Sequence, residues 1–156
     1  MSEAGPMATI AISFSALFGV IVGGYISDKW SINNLKARMY ISGFGMFLTI
    51  PAMLYIGMGG SVVVSITASI CLGFGWGWFD VNNMPILCQF IPSHQRATAY
   101  GLMNMCGVLF GAIATSTFGK IKADQMYMAF VFCAFIVLMV TSSQLLFLKP
   151  KTLDFK

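Results

Sequence analysis

Charge is scarce in this sequence. Only 9% of its 156 residues are Asp, Glu, Lys or Arg, whereas a soluble domain carries about 25%. Apolar residues make up 58% of the chain, and its mean hydropathy is +0.82. The low charge and the high hydropathy argue against a protein whose main solvent is water.

The sequence also has few of the residues on which catalysis and metal binding depend. It has one histidine, His94, and its four cysteines form no CxxC pair. No apolar run holds a nucleophile beside a base, or a cluster of metal ligands. We therefore predict no enzyme activity, no cofactor and no metal site. A secretory signal peptide is also disfavoured, because the N-terminus has no basic segment and its first apolar run is too long.

The few charges are clustered, and long charge-free stretches lie between the clusters. A helix needs roughly 20 apolar residues to cross the hydrocarbon core, and three of the stretches hold one such helix each. The fourth, between Met39 and Phe79, is too long for one helix and contains the turn-forming segment 57–61, so we interpret it as a hairpin of two helices. The sequence therefore predicts an all-α, polytopic membrane helical bundle, formed by one transmembrane domain over residues 1–156. Its five predicted spans are 7–27, 39–57, 61–90, 97–119 and 126–148.

The basic residues alternate between the two sides of this predicted bundle. Seven Lys and Arg residues fall on one side and two on the other. The positive-inside rule then places the C-terminus in the cytoplasm and the N-terminus outside, in the cell (inner) membrane. Because topology explains the positive charge, no nucleic-acid partner is predicted. The seven are Lys29, Lys36, Arg38, Arg96, Lys149, Lys151 and Lys156, and the two are Lys120 and Lys122.

The third predicted span carries an unusual set of polar side chains. Asp80 is the only charge deep in an apolar run, and Asn82 and Asn83 follow it. An ionisable group in the membrane costs at least a few kcal/mol unless it faces water or a partner. One hypothesis is that these residues line a polar route for a solute or protons, where Trp76 could stack on the solute. The alternative is that Asp80 reaches headgroup water and that Trp76 is a packing or interfacial aromatic.

The fourth predicted span adds one more polar candidate. Asn104 either faces the same cavity or forms a hydrogen bond between helices. Two pairs of glycines, Gly19 with Gly23 and Gly107 with Gly111, are each spaced four residues apart. This spacing places both glycines on one helix face, where neighbouring backbones can approach closely.

Two segments resemble sequences of the major facilitator superfamily. The segment 24–29, GYISDK, is similar to the G-x-x-x-D-[R/K] loop of that family, although Ser31 stands where the family usually has glycine and the later basic pair is displaced. The segment 92–104, PSHQRATAYGLMN, resembles the loop that enters helix eleven in bacterial anion and sugar-acid symporters. The resemblance aligns the whole chain with helices eight to twelve of the family.

The resemblance implies secondary transport of a small polar organic solute (a sugar, a sugar acid or another organic anion) by alternating access. Whether a proton or sodium gradient drives it, or diffusion alone, stays open. The implied partners are the lipid bilayer, the small-molecule solute and the missing N-terminal helices of the same transporter, so the chain is expected to be an incomplete C-terminal half, or fragment. The substrate or coupling candidates are Asp80, Asn82, Asn83, Trp76 and Asn104, and the gating-loop candidates are Gly24, Asp28, Lys29 and Arg96.

Each gating candidate also has a plainer interpretation. Asp28 and Lys29 could be a solvated loop pair, and Arg96 could be a positive-inside anchor. For the protein as a whole, the alternative is a small membrane scaffold or interaction subunit without transport of its own.

Overall fold

The structure is a computed structural model that describes residues 4–59, 61–122 and 125–149. These residues form five long α-helices and one 3-10 turn, and they contain no strand. All five helices are long and apolar enough to cross a membrane, so the predicted all-α membrane bundle is confirmed. The predicted basic positions Lys151 and Lys156 lie outside the described residues. The helices are α1 (Ala4–Ser31), α2 (Ala37–Gly57), α3 (Val62–Cys88), α4 (Arg96–Phe118) and α5 (Met126–Phe147).

Each predicted span corresponds to one of these helices, and α1 differs most from its prediction. It ends at Ser31 rather than at residue 27, because Asp28 and Lys29 mark the end of the apolar run but do not break a helix. A cation in the last turn, here Lys29, also interacts favourably with the helix dipole. Helix α3 begins after Ser61, whose hydroxyl accepts a hydrogen bond from the backbone N–H of Val64 at 3.5 Å.

Helices α1, α2 and α3 form a closely packed group, called here the three-helix unit. Glycines stand where the backbones of α2 and α3 meet. A Cβ atom built on Gly45 of α2 would lie 2.6 Å from the carbonyl oxygen of Gly75 in α3. Since real Cβ atoms do not approach an oxygen so closely, only glycine permits this spacing.

The contact between α1 and α3 follows the same principle. A Cβ atom on Gly23 would lie 3.0 Å from the ring of Trp78, and one on Gly19 would collide with the backbone of Phe74. These contacts confirm that Gly19 and Gly23 supply a packing surface. From Gly19 to Gly23 the partner in α3 advances from Phe74 to Trp78, so α1 and α3 run in the same direction.

Helix α5 packs against the opposite side of α2. A Cβ on Gly43 would lie 3.0 Å from a methyl of Leu145, and one on Gly57 would lie 2.8 Å from Cβ of Phe130. The two helices are therefore antiparallel. It follows that the α1–α2 connection, the α3–α4 connection and the end of α5 share one end of the bundle, called here the basic end. It carries Lys29, Lys36, Arg38, Arg96 and Lys149.

Helix α4 stands apart from the other four. None of its 23 residues is buried. Apart from the adjacent backbone of α4 itself, no described atom lies within 4 Å of a Cβ built on Gly107 or Gly111. These two glycines therefore form no close contact within the described chain, and their role as a packing surface stays a prediction. Near its end α4 approaches α5, where the rings of Phe118 and Phe130 are 5.6 Å apart.

Candidate functional site

Helix α3 has one face that no described helix covers tightly. Trp76, Asp80 and Asn83 are spaced four and three residues apart, which places them on the same side of a helix. Glycines on other sides of α3 contact the neighbours: Gly77 meets α1 and Gly75 meets α2. Asp80 is exposed and the Trp76 side chain is 48% exposed. We call Trp76, Asp80 and Asn83 the free face of α3.

The free face places an acid, an amide and an aromatic ring together. The Trp76 ring packs beside Phe79, with the ring centroids 5.4 Å apart. This contact covers part of the indole and leaves about half of the residue exposed. An indole surface next to a carboxylate and an amide can contact a small molecule that has both apolar and hydrogen-bonding groups.

Asn82 lies away from the free face although it is adjacent to Asn83 in sequence. Its side chain is 0% exposed, and its Nδ2 donates a hydrogen bond of 2.8 Å to the carbonyl oxygen of Trp78. The position is one helical turn beyond Trp78, which contacts both α1 and α2. The fold therefore separates the two asparagines: Asn83 is on the free face and Asn82 is inside the three-helix unit.

A cleft of about 600 Å³ opens beside Asn83 at the basic end. Its polar lining comes from Asn83 of α3 and from Ser143 and Gln144 of α5, and Met103 of α4 also lines it. A volume of this size suits a small organic molecule. The remaining lining is apolar or aromatic: Phe79, Ile86, Leu87, Phe90, Val140, Phe147 and Leu148.

Ser143 and Gln144 are functional candidates that the sequence interpretation missed. They belong to the segment 141–144, TSSQ, which is a polar run within the apolar fifth span. That run is the signal that could have found them. What it could not show is that α5 places these residues in the lining of the same cleft as Asn83.

Asn104, the candidate on α4, is exposed. The only residue of α4 that lines the cleft is Met103, one position earlier. Helix α4 therefore contributes Met103 to the cleft, whereas Asn104 is not part of the cleft lining. Asn104 remains a prediction as a solute residue.

Arg96, at the start of α4, binds the end of α3. Its Nε donates to the carbonyl oxygen of Ile91 at 3.3 Å and its Nη2 to that of Cys88 at 3.2 Å. The last carbonyls of a helix have no partner within the helix, so a part-buried guanidinium at this position caps α3 and holds the α3–α4 connection. The sequence interpretations of Arg96, as a gating residue or as a positive-inside anchor, did not predict this cap.

The predicted gating loop is at the basic end, between α1 and α2. Asp28 accepts a hydrogen bond from Arg38 at 2.5 Å, and this pair joins the end of α1 to the start of α2. The Asp28 side chain is 70% exposed and that of Arg38 is 20% exposed. Lys29 is exposed beside them, and Gly24 lies one turn earlier against Val81 of α3. Their gating roles remain predictions.

Groups of His, Cys, Asp or Glu that could hold a metal ion do not occur in the described part of the chain. The free face and the cleft therefore offer binding by hydrogen bonds, stacking and a single carboxylate.

These features define a multi-pass helical membrane protein that places polar side chains inside its apolar helices. The chain belongs to the Major Facilitator Superfamily, whose family model matches residues 1–115. The match spans α1, α2, α3 and almost all of α4. Membership indicates secondary transport of a solute, and it does not favour the scaffold alternative. Comparison with curated proteins and with solved structures found no match for this chain.

Proposed function

We propose that this protein carries a small polar organic solute, a sugar, a sugar acid or another organic anion, by alternating access. The observation that carries the proposal is the free face of α3. It holds Asp80 within an apolar helix and exposes the carboxylate beside Trp76 and Asn83. An ionisable group at membrane depth costs at least a few kcal/mol unless it faces water or a partner, so a lipid-facing Asp80 would be unfavourable.

The free face of α3 also supports the existence of a second helix bundle that would complete the solute cavity. A solute cavity in this superfamily lies between two helix bundles, and the free face together with the open side of α4 would form one wall of it. The partners we propose are accordingly the bilayer, the solute and the N-terminal helices of the same transporter. The chain would then act as helices eight to twelve.

The charge distribution supports a cytoplasmic basic end in the cell membrane. The described residues place five Lys and Arg at the basic end, and Lys120 and Lys122 at the other. The positive-inside rule favours the more basic side as the cytoplasmic one. A reporter enzyme fused after Lys156 tests this orientation, because it would be active only if the C-terminus stays in the cytoplasm.

The experiment that tests transport changes Asp80 in the full-length protein, which includes all the helices that the gene encodes. Asp80→Asn keeps the size and removes the charge, and we expect gradient-driven uptake of a screened solute to fall at least about 100-fold. Asp124→Asn is the matched control, because it removes the same charge from the segment that connects α4 to α5 in the sequence and from a position that is not a transport or gating candidate.

Uptake that is unchanged in Asp80→Asn, with the same dependence on the pH gradient, would contradict the role of Asp80. Asn83→Leu and Trp76→Leu then separate solute contact from coupling. They should raise the solute KM, whereas Asp80→Asn should also lower the maximal rate.

A further inference from the structure

Three polar side chains lie fully buried within the three-helix unit. Ser27 of α1, Ser42 of α2 and Asn82 of α3 are each 0% exposed. The hydroxyl oxygens of both serines and Oδ1 of Asn82 have no hydrogen-bond partner among the described residues. Nε1 of Trp78, one helical turn from Asn82, is also buried without a partner. Several such atoms in one small interface are unusual, because buried polar groups are nearly always paired.

The packing register places all three at the same level of the bundle. Trp78 contacts Gly23 of α1, and Gly45 of α2 also meets Trp78. One turn further toward the basic end, these three positions are replaced by Asn82, Ser27 and Ser42. Residues three or four apart occupy the same helix face, so the three polar side chains converge where the three helices meet.

The orientation of the Asn82 amide leaves its oxygen as an acceptor. Its nitrogen already donates to the carbonyl of Trp78 at 2.8 Å, so Oδ1 requires a separate donor. A serine hydroxyl can both donate and accept. In a membrane no bulk solvent can satisfy these groups, and leaving them unpaired would be costly.

We propose that one ordered water molecule binds at this junction, bridging Ser27, Ser42 and Asn82. Buried waters in proteins typically make about three hydrogen bonds to groups that would otherwise be unsatisfied. Here the water donates to Oδ1 of Asn82 and to one serine oxygen, and it accepts from the other serine hydroxyl.

The chemistry of the junction favours a neutral ligand over a cation. All three atoms are uncharged oxygens, and a buried cation without a carboxylate would be poorly compensated. The two acids nearest in sequence are both exposed: Asp28 is 70% exposed and pairs with Arg38, and Asp80 lies on the free face of α3. The bridging water connects one residue from each helix, so it joins α1, α2 and α3 at one level of the three-helix unit.

The test measures whether a substitution raises or lowers the thermal unfolding midpoint. It uses the full-length protein, with all the helices that its gene encodes, purified in lipid nanodiscs. If a water bridges the serines, Ser27→Ala and Ser42→Ala should each lower the unfolding midpoint by about 2–4 °C, since each loses one hydrogen bond. The double variant should lose less than the sum, because both changes disrupt the same water. A map at high resolution should show a density peak within hydrogen-bond distance of all three oxygens.

Ser15→Ala is the matched control, because Ser15 is also buried in α1 but bonds to the carbonyl of Ile12 in its own helix at 3.0 Å. It should change the midpoint less than either test variant, because the Ile12 carbonyl keeps its hydrogen bond within α1, whereas each test variant leaves the water and its other partners one hydrogen bond short. A midpoint that is unchanged or raised in both test variants overturns the proposal, since removing a truly unpaired hydroxyl relieves a cost. A midpoint that depends on sodium but not potassium, and that loses this dependence in Ser27→Ala, overturns it in favour of a cation.

Discussion

The three-helix unit and α4 differ in how closely their helices pack against other described helices. In the three-helix unit, glycines let backbones touch, so that a Cβ on Gly45 would lie 2.6 Å from a carbonyl oxygen of α3. In α4, a Cβ on Gly107 or Gly111 would meet no described atom within 4 Å other than the adjacent backbone of α4 itself. Both regions carry glycines spaced four apart or nearly so, yet only one uses them for contact within the described chain.

The difference teaches that glycine spacing indicates a capacity for close approach and does not identify the partner. Helices in lipid gain little from hiding apolar surface, so they associate through close packing and hydrogen bonds. Helix α4 has neither over most of its length. Under the proposed function, its open face would contact the remaining helices of the transporter.

The sharpest way to break this comparison is to place the same side chain in both regions. We expect Gly75→Val to lower the free energy of unfolding by about 3 kcal/mol or more, because its Cβ would collide with the Gly45 carbonyl and lie 2.9 Å from Thr49. Gly111→Val should leave the stability of the described bundle nearly unchanged. Thermal unfolding in nanodiscs measures both.

Equal losses of stability in the two glycine variants would contradict the comparison, since they would require a close partner for α4 within this chain. If Gly111→Val leaves stability unchanged, as expected, and also lowers solute uptake by the full-length protein, then the open face of α4 takes part in contacts that form during transport.

A smaller effect is expected where the two regions are joined. Arg96→Lys keeps the positive charge but loses the two-nitrogen contact with the carbonyls of Cys88 and Ile91. We expect it to cost about 1–2 kcal/mol and to speed amide hydrogen exchange at the start of α4 and in the α3–α4 connection. Hydrogen exchange with mass spectrometry provides the measurement.

Lys29→Gln serves as the control for Arg96, since it removes an exposed cation from the same end of the bundle. If Arg96 were only a positive-inside anchor, Arg96→Lys would behave like the unaltered protein. Exchange that stays the same in Arg96→Lys would therefore support the anchor and refute the cap.

The smallest effect is expected at the Asp28–Arg38 pair, which joins α1 to α2 within the three-helix unit. Because Asp28 is 70% exposed, water and salt screen the pair, and we expect a coupling of about 0.2–1 kcal/mol. A double-mutant cycle with Asp28→Asn and Arg38→Gln measures it, and the coupling should shrink as NaCl is raised. A coupling above about 2 kcal/mol that ignores salt would show that the pair is more enclosed than its exposure indicates.

Much of the fold could be predicted because hydropathy and length decide which segments enter a membrane. The charge-free stretches located all five helices, and the turn-forming residues near Gly59 correctly divided the long stretch in two. Gly59 has a φ of +64°, a conformation that glycine adopts without strain. The error at α1 arose because charge marks the edge of the hydrocarbon, whereas a helix ends where its hydrogen bonding ends.

The candidate site was only partly predictable. A sequence shows that Asn82 and Asn83 are polar, but neighbouring residues on a helix point about 100° apart, and only the packing of α1 and α2 decided which of them is enclosed. Ser143 and Gln144 were missed for a related reason. Their place in the cleft depends on α5 lying across α2, and no local pattern encodes that.

The sequence by itself determined the solvent of this protein, its five helices and the residues whose polarity is costly in lipid. These properties depend on the composition of each segment, because the length and hydropathy of a segment decide whether it can cross the bilayer as a helix. The tertiary structure alone decided which glycines touch, that Arg96 caps α3, and that Asp80 and Asn82 face different surroundings. Such choices depend on distances between segments far apart in the chain, and these exist only once the helices have packed.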